Sequence, residues 1–328
     1  MELHPDFLCG RWFAIVNPVA GSGKGLADWP IVSKHLRDAD IAFDAVFTEK
    51  KYHATELAVE AVNKGYRHII VVGGDGTIHE TVHGLFIQQR CAVGDVTLAV
   101  IAVGTGNDWI RMYGIPRRYT DAIRAIKSGR TFLQDVAKVS FYESKVHQHR
   151  YMANVAGVGF DAFVNRGYNR VKEMGLYSKW LYLIVMFLSL INYHNHRFKV
   201  WVDGEQVFDG GAFSGAIGIG KFNGGGMQQM PHAVADDGLL DVTVIEKMGK
   251  INLFRYIKKL YNGHIYDVPF ARFMRGANIR IESMPESPIE IDGEAMGYAP
   301  FEFTVLEKVL RVVVGEGFGE GMPDVGVS

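Results

Sequence analysis

Cysteine is scarce in this chain: Cys9 and Cys91 are the only two in 328 residues. Two thiols build no disulfide framework, so a reducing, cytoplasmic setting is expected. No apolar run reaches the length of about 20 residues that a membrane-crossing helix needs. The most apolar stretch, Leu181 to Ile191, is too short. The opening MELHPDFLCGRW lacks the basic-then-apolar order of a secretion signal. There is no excess of charge either, since 35 Lys and Arg against 36 Asp and Glu leave a formal net charge of −1. Global attraction to nucleic acid is thereby excluded. Internal repeats and low-complexity tracts are also missing. What remains is a folded protein, 48% hydrophobic and 22% charged, long enough for two domains. Local basic character runs from Arg111 through Arg117, Arg118, Arg124, Lys127 and Arg130. It reads as a solvated helix face, with an anionic membrane or nucleotide contact as the alternative.

The richest stretch is His68 to Gly84, HIIVVGGDGTIHETVHG. Ile69 to Val72 form a continuous apolar run suited to a strand buried on both faces. The glycines of Gly73-Gly74-Asp75-Gly76-Thr77 leave no Cβ between backbone amides and a ligand. A helix starting there presents free N–H groups and its positive dipole end, a place for phosphate. Asp75 would repel phosphate unless a divalent cation, or water bound to one, stands between them. The plainer reading is a tight turn with a solvated aspartate.

Residues 11–135 alternate short apolar strands (Trp12–Val16, Phe43–Phe47, His68–Val72, Thr97–Val103) with helical runs at about 26–39, 53–64, 77–89 and 120–127. The alternation predicts an open parallel sheet with helices on both faces. Its glycine loops fall where strands end and helices begin, the ligand side of such a sheet. After Asp135 the texture changes to strand-like runs at Tyr151–Ala156, Phe198–Val202, Gly215–Ile219, Leu239–Ile245, Ile279–Glu282 and Phe301–Leu306. Asp203-Gly204, Asp237-Gly238 and Asp292-Gly293 are turn signals. The expected fold class is α/β plus all-β, with an N-terminal domain at 1–135 and a C-terminal β-sandwich at 136–328. Helices are expected in the second half at about Ser178–Asn192 and Leu253–Asn262. The segment from about 306 returns to the first domain, and the glycine-rich Gly315–Ser328 frays.

Asn17-Pro18-Val19-Ala20-Gly21-Ser22-Gly23-Lys24-Gly25 follows the first strand but is no P-loop: the pattern needs Gly at Pro18 and Ser or Thr at Gly25. It still reads as a nucleotide loop, in which Lys24 meets a phosphate or is merely exposed. Gly104-Thr105-Gly106-Asn107-Asp108 offers a bare backbone, a hydroxyl and a second carboxylate. Gly157 to Ala162 matches G-x-G-x-x-A, a weak dinucleotide signal outside the α/β half. Lys221 to Asp241 combines a glycine loop with Asp236-Asp237, and Asp292 and Glu294 flank Gly293. Each carboxylate pair alone suits ordinary turn chemistry. His147, His149, His194 and His196 have no Cys or acidic partner at a zinc spacing. The helix containing Trp180, Leu181, Leu183, Ile184, Met186, Phe187, Leu188 and Leu190 is apolar nearly all round. It reads as buried, or as an acyl-chain wall or membrane-touching surface.

Taken in order, Asn17-Pro18, Gly73–Thr77, Gly104–Asp108, Gly224–Met227, Asp236-Asp237-Gly238 and Asp292-Gly293-Glu294 resemble the diacylglycerol kinase-type lipid kinases, over about residues 10–310. GGDGT alone is shared with NAD kinases and 6-phosphofructokinases; the later motifs are not. The resemblance implies a lipid kinase using ATP and Mg²⁺, with diacylglycerol as the default acceptor and phosphatidic acid as product. ATP would be held by Asn17, Pro18, Val19, Ala20, Gly21, Thr48, the stretch Gly74, Asp75, Gly76, Thr77, Ile78, His79 and Glu80, and by Thr105 and Gly106. Asp75 would join Asp108 and Asp135 in a carboxylate–water–Mg²⁺ network. A further Mg²⁺ would sit on Asp237 with main-chain oxygens of Val234 and Leu239. The base matches Glu294, with Asp292 beside it. Ile78-His79 stands where an apolar-Asn pair is commoner, and Ala102-Val103 where a Pro often precedes the loop. The partner expected is a lipid at the inner membrane face, met peripherally, with no nucleic acid and no transmembrane segment; a homodimer is one open option. The competing readings are a soluble-metabolite kinase of the NAD-kinase type and a non-catalytic nucleotide- or lipid-binding regulator.

Overall fold

The computed structural model describes residues 10–104, 106–173, 179–249, 255–256, 258–259 and 261–319. Strands β1 (Trp12–Val16), β2 (Phe43–Phe47), β3 (His68–Gly73) and β4 (Thr97–Ala102) pair in parallel in the order β2-β1-β3-β4. Between and after them run α1 (Ala20–Asp38), α2 (His53–Asn63), α3 (Asp75–Ile87), α4 (Asp108–Met112) and α5 (Tyr119–Ser128). Successive side chains of a strand leave opposite faces. Phe13, Ile15, Ile69 and Val71 therefore meet Leu57 and Val62 of α2 and Val82 and Leu85 of α3. Ala14, Val16, Ile70 and Val72 meet Val32 and Leu36 of α1 and Ile123 and Ile126 of α5. This is the expected two-faced sheet. Gly21, Ser22 and Gly23 hold φ of 60°, 60° and 90°, a tight turn that delays the regular part of α1.

The second half contains β5 (Thr131–Glu143), β6 (Val146–Met152), β7 (Val155–Gly159), α6 (Phe160–Glu173), α7 (Lys179–Asn192), β8 (His196–Val202) and β9 (Glu205–Gly218). The hairpin β10 (Phe222–Asn223) and β11 (Met227–Gln228) follows, then β12 (Leu240–Glu246), β13 (Ala271–Gly276), β14 (Asn278–Met284), β15 (Pro288–Ile291) and β16 (Glu294–Val313). Two long strands change partners along their length. β9 pairs first with β8, then with β7 and β12. β16 starts on β15, continues against β14 and β5, and ends parallel to β4 at Arg311 and Val312. The sandwich encloses Phe141, Phe198, Phe301 and Phe303, all fully buried. At Asp203-Gly204 and Asp292-Gly293 both residues have positive φ, the backbone of a tight two-residue hairpin.

Three local expectations change. The run Tyr151–Ala156 is broken at Ala153-Asn154, whose N–H groups leave the ladder for the Asp292 carboxylate. Strand β5 escapes the sequence pattern because the buried polar pair Gln134-Asp135 interrupts it. The tail at 315–319 is packed, not frayed: Gly315 donates to the Tyr113 carbonyl at 3.0 Å, and the Phe318 ring packs tilted against Tyr113 and edge-on to Phe132. Residues 320–328, and part of the expected helix at 253–262, lie outside the described residues.

Helices α2 and α3 touch at Gly84, where a Cβ would lie 2.6 Å from the Thr55 carbonyl oxygen. Gly84→Ala should lower stability by about 1–3 kcal/mol, read from urea unfolding. An unchanged midpoint would contradict this close approach.

Candidate active site

At the carboxyl ends of the parallel strands, Asn17, Ala20, Gly21, Gly74, Gly76, Thr77, Glu80, Val103 and Glu294 line an open cavity of about 210 Å³. Asn17 donates from Nδ2 to Thr77 Oγ1 at 2.9 Å and accepts the Val19 N–H at 3.1 Å. One side chain thereby ties the first loop to the second. Gly74 is extended at the start of α3. In its first turn the Thr77 and Ile78 N–H groups already donate to the Gly74 carbonyl at 3.0 and 3.1 Å, which leaves the start of the helix at Asp75 and Gly76 for an anion. The Glu294 carboxylate comes from the other half of the chain. A Cβ on Gly76 would lie 2.6 Å from Glu294 Oε1, so the carboxylate approaches the bare backbone of the loop. Lys51 Nζ stands 3.7 Å from Glu294 Oε2. Glu80 accepts N–H bonds from Tyr52 and Ala54 at 2.9 and 3.2 Å, closing the start of α2.

Asp75 accepts the N–H groups of Asp108 and Trp109 at 3.1 and 3.3 Å. Burial, with the Asp108 charge beside it, pushes the Asp75 carboxyl up to about 6. Asp108 Oδ2 accepts the Gly225 N–H at 2.6 Å, which brings the glycine loop of residues 224–227 onto the first half. Its Oδ1 is buried without a hydrogen bond, although Arg111 Nε lies 3.3 Å away. Burial raises this carboxyl too, against the pull of Gly225 and Arg111.

Asp292 is saturated. Its oxygens accept the N–H groups of Ala153, Asn154 and Val155 at 3.0, 2.9 and 3.2 Å and face His79 Nδ1 at 3.1 Å. His79, in α3, is thereby fixed to the turn that carries Glu294.

Other expected residues stand elsewhere. Asp135 accepts N–H groups from Gly238 and Lys308 at 2.8 and 2.7 Å, which ties it to the Asp236–Gly238 turn. Asp237 accepts from Arg275 at 2.5 Å and from the Leu239 N–H at 3.1 Å, and Val234 is half-buried nearby in sequence. Thr48 directly follows β2, with its N–H on the Val16 carbonyl, and does not line the cavity. Pro18 accepts the Leu26 N–H, Ile78 is in the core, and Gly106 accepts from Arg117 at 2.9 Å. Thr105 lies outside the described residues. Among the described residues, no three His, Cys, Asp or Glu side chains form a metal-ligand cluster.

Two family models match the chain. Residues 11–139 match the diacylglycerol kinase catalytic domain, and residues 154–314 match the YegS C-terminal NAD kinase beta sandwich-like domain. The chain belongs to the diacylglycerol kinase-type lipid kinase family. It is 29% identical over 319 residues to "Putative lipid kinase YtlR" of Bacillus subtilis (strain 168), spanning 92% of this chain and 99% of that one. It is 25% identical over 305 residues to a diacylglycerol kinase of Mycobacterium tuberculosis (strain CDC 1551 / Oshkosh), spanning 93% and 95%. Among solved structures it resembles "a putative diacylglycerol kinase from Bacillus anthracis str. Sterne", with a TM-score of 0.74, 25% identity, and 94% and 98% of the two chains covered.

Sequence reading missed a polar network around Glu290 that reaches the Gly293 turn. Glu290 accepts from Asn165 at 3.1 Å and lies 3.5 Å from Asn223 Nδ2, while Gln229 donates to Asp161 at 2.9 Å and accepts from Asn223 at 3.1 Å. Asn165 also donates to the Gly293 carbonyl at 2.8 Å. The G-x-G-x-x-A match and the alternation Glu290, Asp292, Glu294 were the available signals. Burial, then the charges of Asp161 and Asp292, pushes the Glu290 carboxyl up to about 8.

Asp292→Asn places an amide against N–H donors and should cost about 1–3 kcal/mol in urea unfolding. Unchanged stability would contradict the saturated geometry. A carboxyl raised in the folded state holds its proton there while the unfolded chain has lost it, so stability falls as pH rises between those values. Wild type should therefore lose stability relative to Glu290→Gln between pH 5 and pH 8, the window bounded above by a carboxyl near 8. Parallel unfolding curves at both pH values would show that Glu290 ionises normally.

Proposed function

We propose that the protein transfers the γ-phosphoryl group of ATP to the free hydroxyl of diacylglycerol, giving phosphatidic acid and ADP. The observation that carries this reading is the Glu294 carboxylate against Gly76, at the mouth of a cavity lined by Asn17, Gly21, Gly74 and Thr77. Phosphoryl transfer needs a cradle for the phosphates, compensation of their charge and a group that orients the acceptor hydroxyl. The backbone of Gly74–Thr77 supplies the cradle, with Asn17, Pro18, Val19, Ala20, Gly21 and Thr105 as the remaining nucleotide contacts. The hydroxyl oxygen attacks Pγ as the Pγ–O bond to ADP breaks, and Glu294 takes the hydroxyl proton. Lys51, 3.7 Å from Glu294 Oε2, keeps that carboxylate turned toward the loop. Asp292 acts as a positioning residue, because its lone pairs are already used.

The buried Oδ1 of Asp108 and the neighbouring Asp75 fit a divalent cation held through water, which when bound neutralises charge on the phosphates. Asp135 belongs to the same proposal only through the Asp236–Gly238 turn. Asp237 is already paired with Arg275, so its residues do not fit a cation as they stand and no chemistry is assigned there. We read the chain as a nucleotide domain to about 135 and an acceptor domain beyond it, and names of relatives that include diacylglycerol kinase support that acceptor.

Pure protein with Mg-ATP and diacylglycerol in mixed micelles should form phosphatidic acid, and Glu294→Gln should lower kcat by about 10²–10⁴-fold. Absence of lipid product from wild type, or full activity in Glu294→Gln, would overturn the assignment.

A further inference from the structure

Among the described helices α7 is the most apolar, yet one side of it is bare. Val185 and Ser189 face Gly167 of α6, and Met186 and Leu190 enter an apolar cluster with Phe160 and Phe213. At about 100° per residue, Ile184, Phe187 and Leu188 must then share the opposite side. They are 53%, 55% and 51% exposed. A helix apolar all round is normally covered on all sides. Three large apolar side chains grouped at i, i+3 and i+4 on its open side mark a surface for an apolar partner. The helix spans Lys179–Asn192, far short of the roughly 20 residues that cross a bilayer. Lying in an interface plane is the geometry open to it.

The charge around it selects the partner. Arg170 on α6, Lys247 after β12, and Arg255 and Lys258 beside Tyr256 are exposed, on elements that pack into or against the same apolar cluster. Among the described residues, the acidic side chains on these elements are engaged: Glu246 with Arg272, Asp267 with Lys259 and Asp161 with Gln229. Two copies of such a cationic surface repel each other, whereas an anionic bilayer attracts it. The surface is also close to the chemistry. Helix α6, on which α7 packs, donates from Asn165 to the Gly293 carbonyl, one residue before Glu294.

We propose that Ile184, Phe187 and Leu188 of α7 insert into the surface of an anionic lipid bilayer and set the acceptor side of the cavity against it. This rests on the lipid kinase reading for its purpose, but the surface can be tested apart from it. Sedimentation with phosphatidylcholine vesicles, with and without phosphatidylglycerol, measures binding directly. Wild type should bind the anionic vesicles, and salt should weaken that binding. The variant Ile184→Ser/Phe187→Ser/Leu188→Ser should bind at least roughly tenfold more weakly, since three large apolar side chains no longer leave water on binding. The single variant Phe187→Ser should show a smaller loss, and Val146→Ser, an exposed apolar position on β6, none.

On a short-chain diacylglycerol dissolved below its micelle concentration, the triple variant should keep wild-type kcat and KM, losing efficiency only on vesicle-embedded acceptor. Vesicle binding without phosphorylation of any lipid would leave this surface standing and remove the lipid kinase reading. Turnover on dissolved diacylglycerol with no vesicle binding, or equal binding by wild type and triple variant, would overturn the surface. A dimer in sedimentation velocity that the triple variant dissolves would also overturn it, assigning the face to a second copy.

Discussion

A buried carboxylate that no water can satisfy must be met by the protein's own donors, and Asp292 is met by four groups from two distant parts of the chain. Three are the N–H groups of Ala153, Asn154 and Val155, released by the break between β6 and β7. The fourth is His79 in α3, on the helix that begins at Asp75. Because Asp292 occupies the left-handed position of a two-residue hairpin, its placement also fixes Gly293 and Glu294. The position of Glu294 against Gly76 is thus a consequence of where Asp292 finds its donors.

The same economy joins the halves elsewhere. Strand β16 leaves the Glu294 turn, passes through the sandwich and ends beside β4 in the parallel sheet. Asp108 at the start of α4 holds the 224–227 loop through Gly225, and that loop's Asn223 and Gln229 reach toward Glu290 and Asp161. Carboxylates here serve as crosslinks between segments far apart in sequence. Burial raises Asp75, Asp108 and Glu290 together, so the site concentrates acid groups that bear charge reluctantly without a cation nearby.

Much of this was legible in the sequence where period and punctuation agree. The first four strands and the helices around them follow from apolar runs ended by glycine, and two of the three Asp-Gly pairs, Asp203-Gly204 and Asp292-Gly293, mark hairpins. Glu294 could be named from its motif, but not its contact with Gly76, which depends on a pairing 218 positions apart. That separation is the difference of the two residue numbers. Strand β5 was hidden because Gln134 and Asp135 look like surface residues, while in the fold both are fully buried and hydrogen-bonded. Glu290, Asn165 and Asn223 were missed for the same reason: a polar residue reads as exposed until its partner is known. His79 shows the converse. A small departure from the family's usual residue proved to be the partner of Asp292.

The central claim is that Glu294 and the Gly74–Thr77 backbone flank one reacting phosphate. A crystal structure with Mg²⁺ and a non-hydrolysable ATP analogue tests it most directly. The terminal phosphate should lie against the N–H groups of Asp75 and Gly76 at the start of α3, with Glu294 within one bridging water or hydroxyl of it. A nucleotide bound with its terminal phosphate turned away from Glu294, or outside the cavity containing Asn17, would contradict the account.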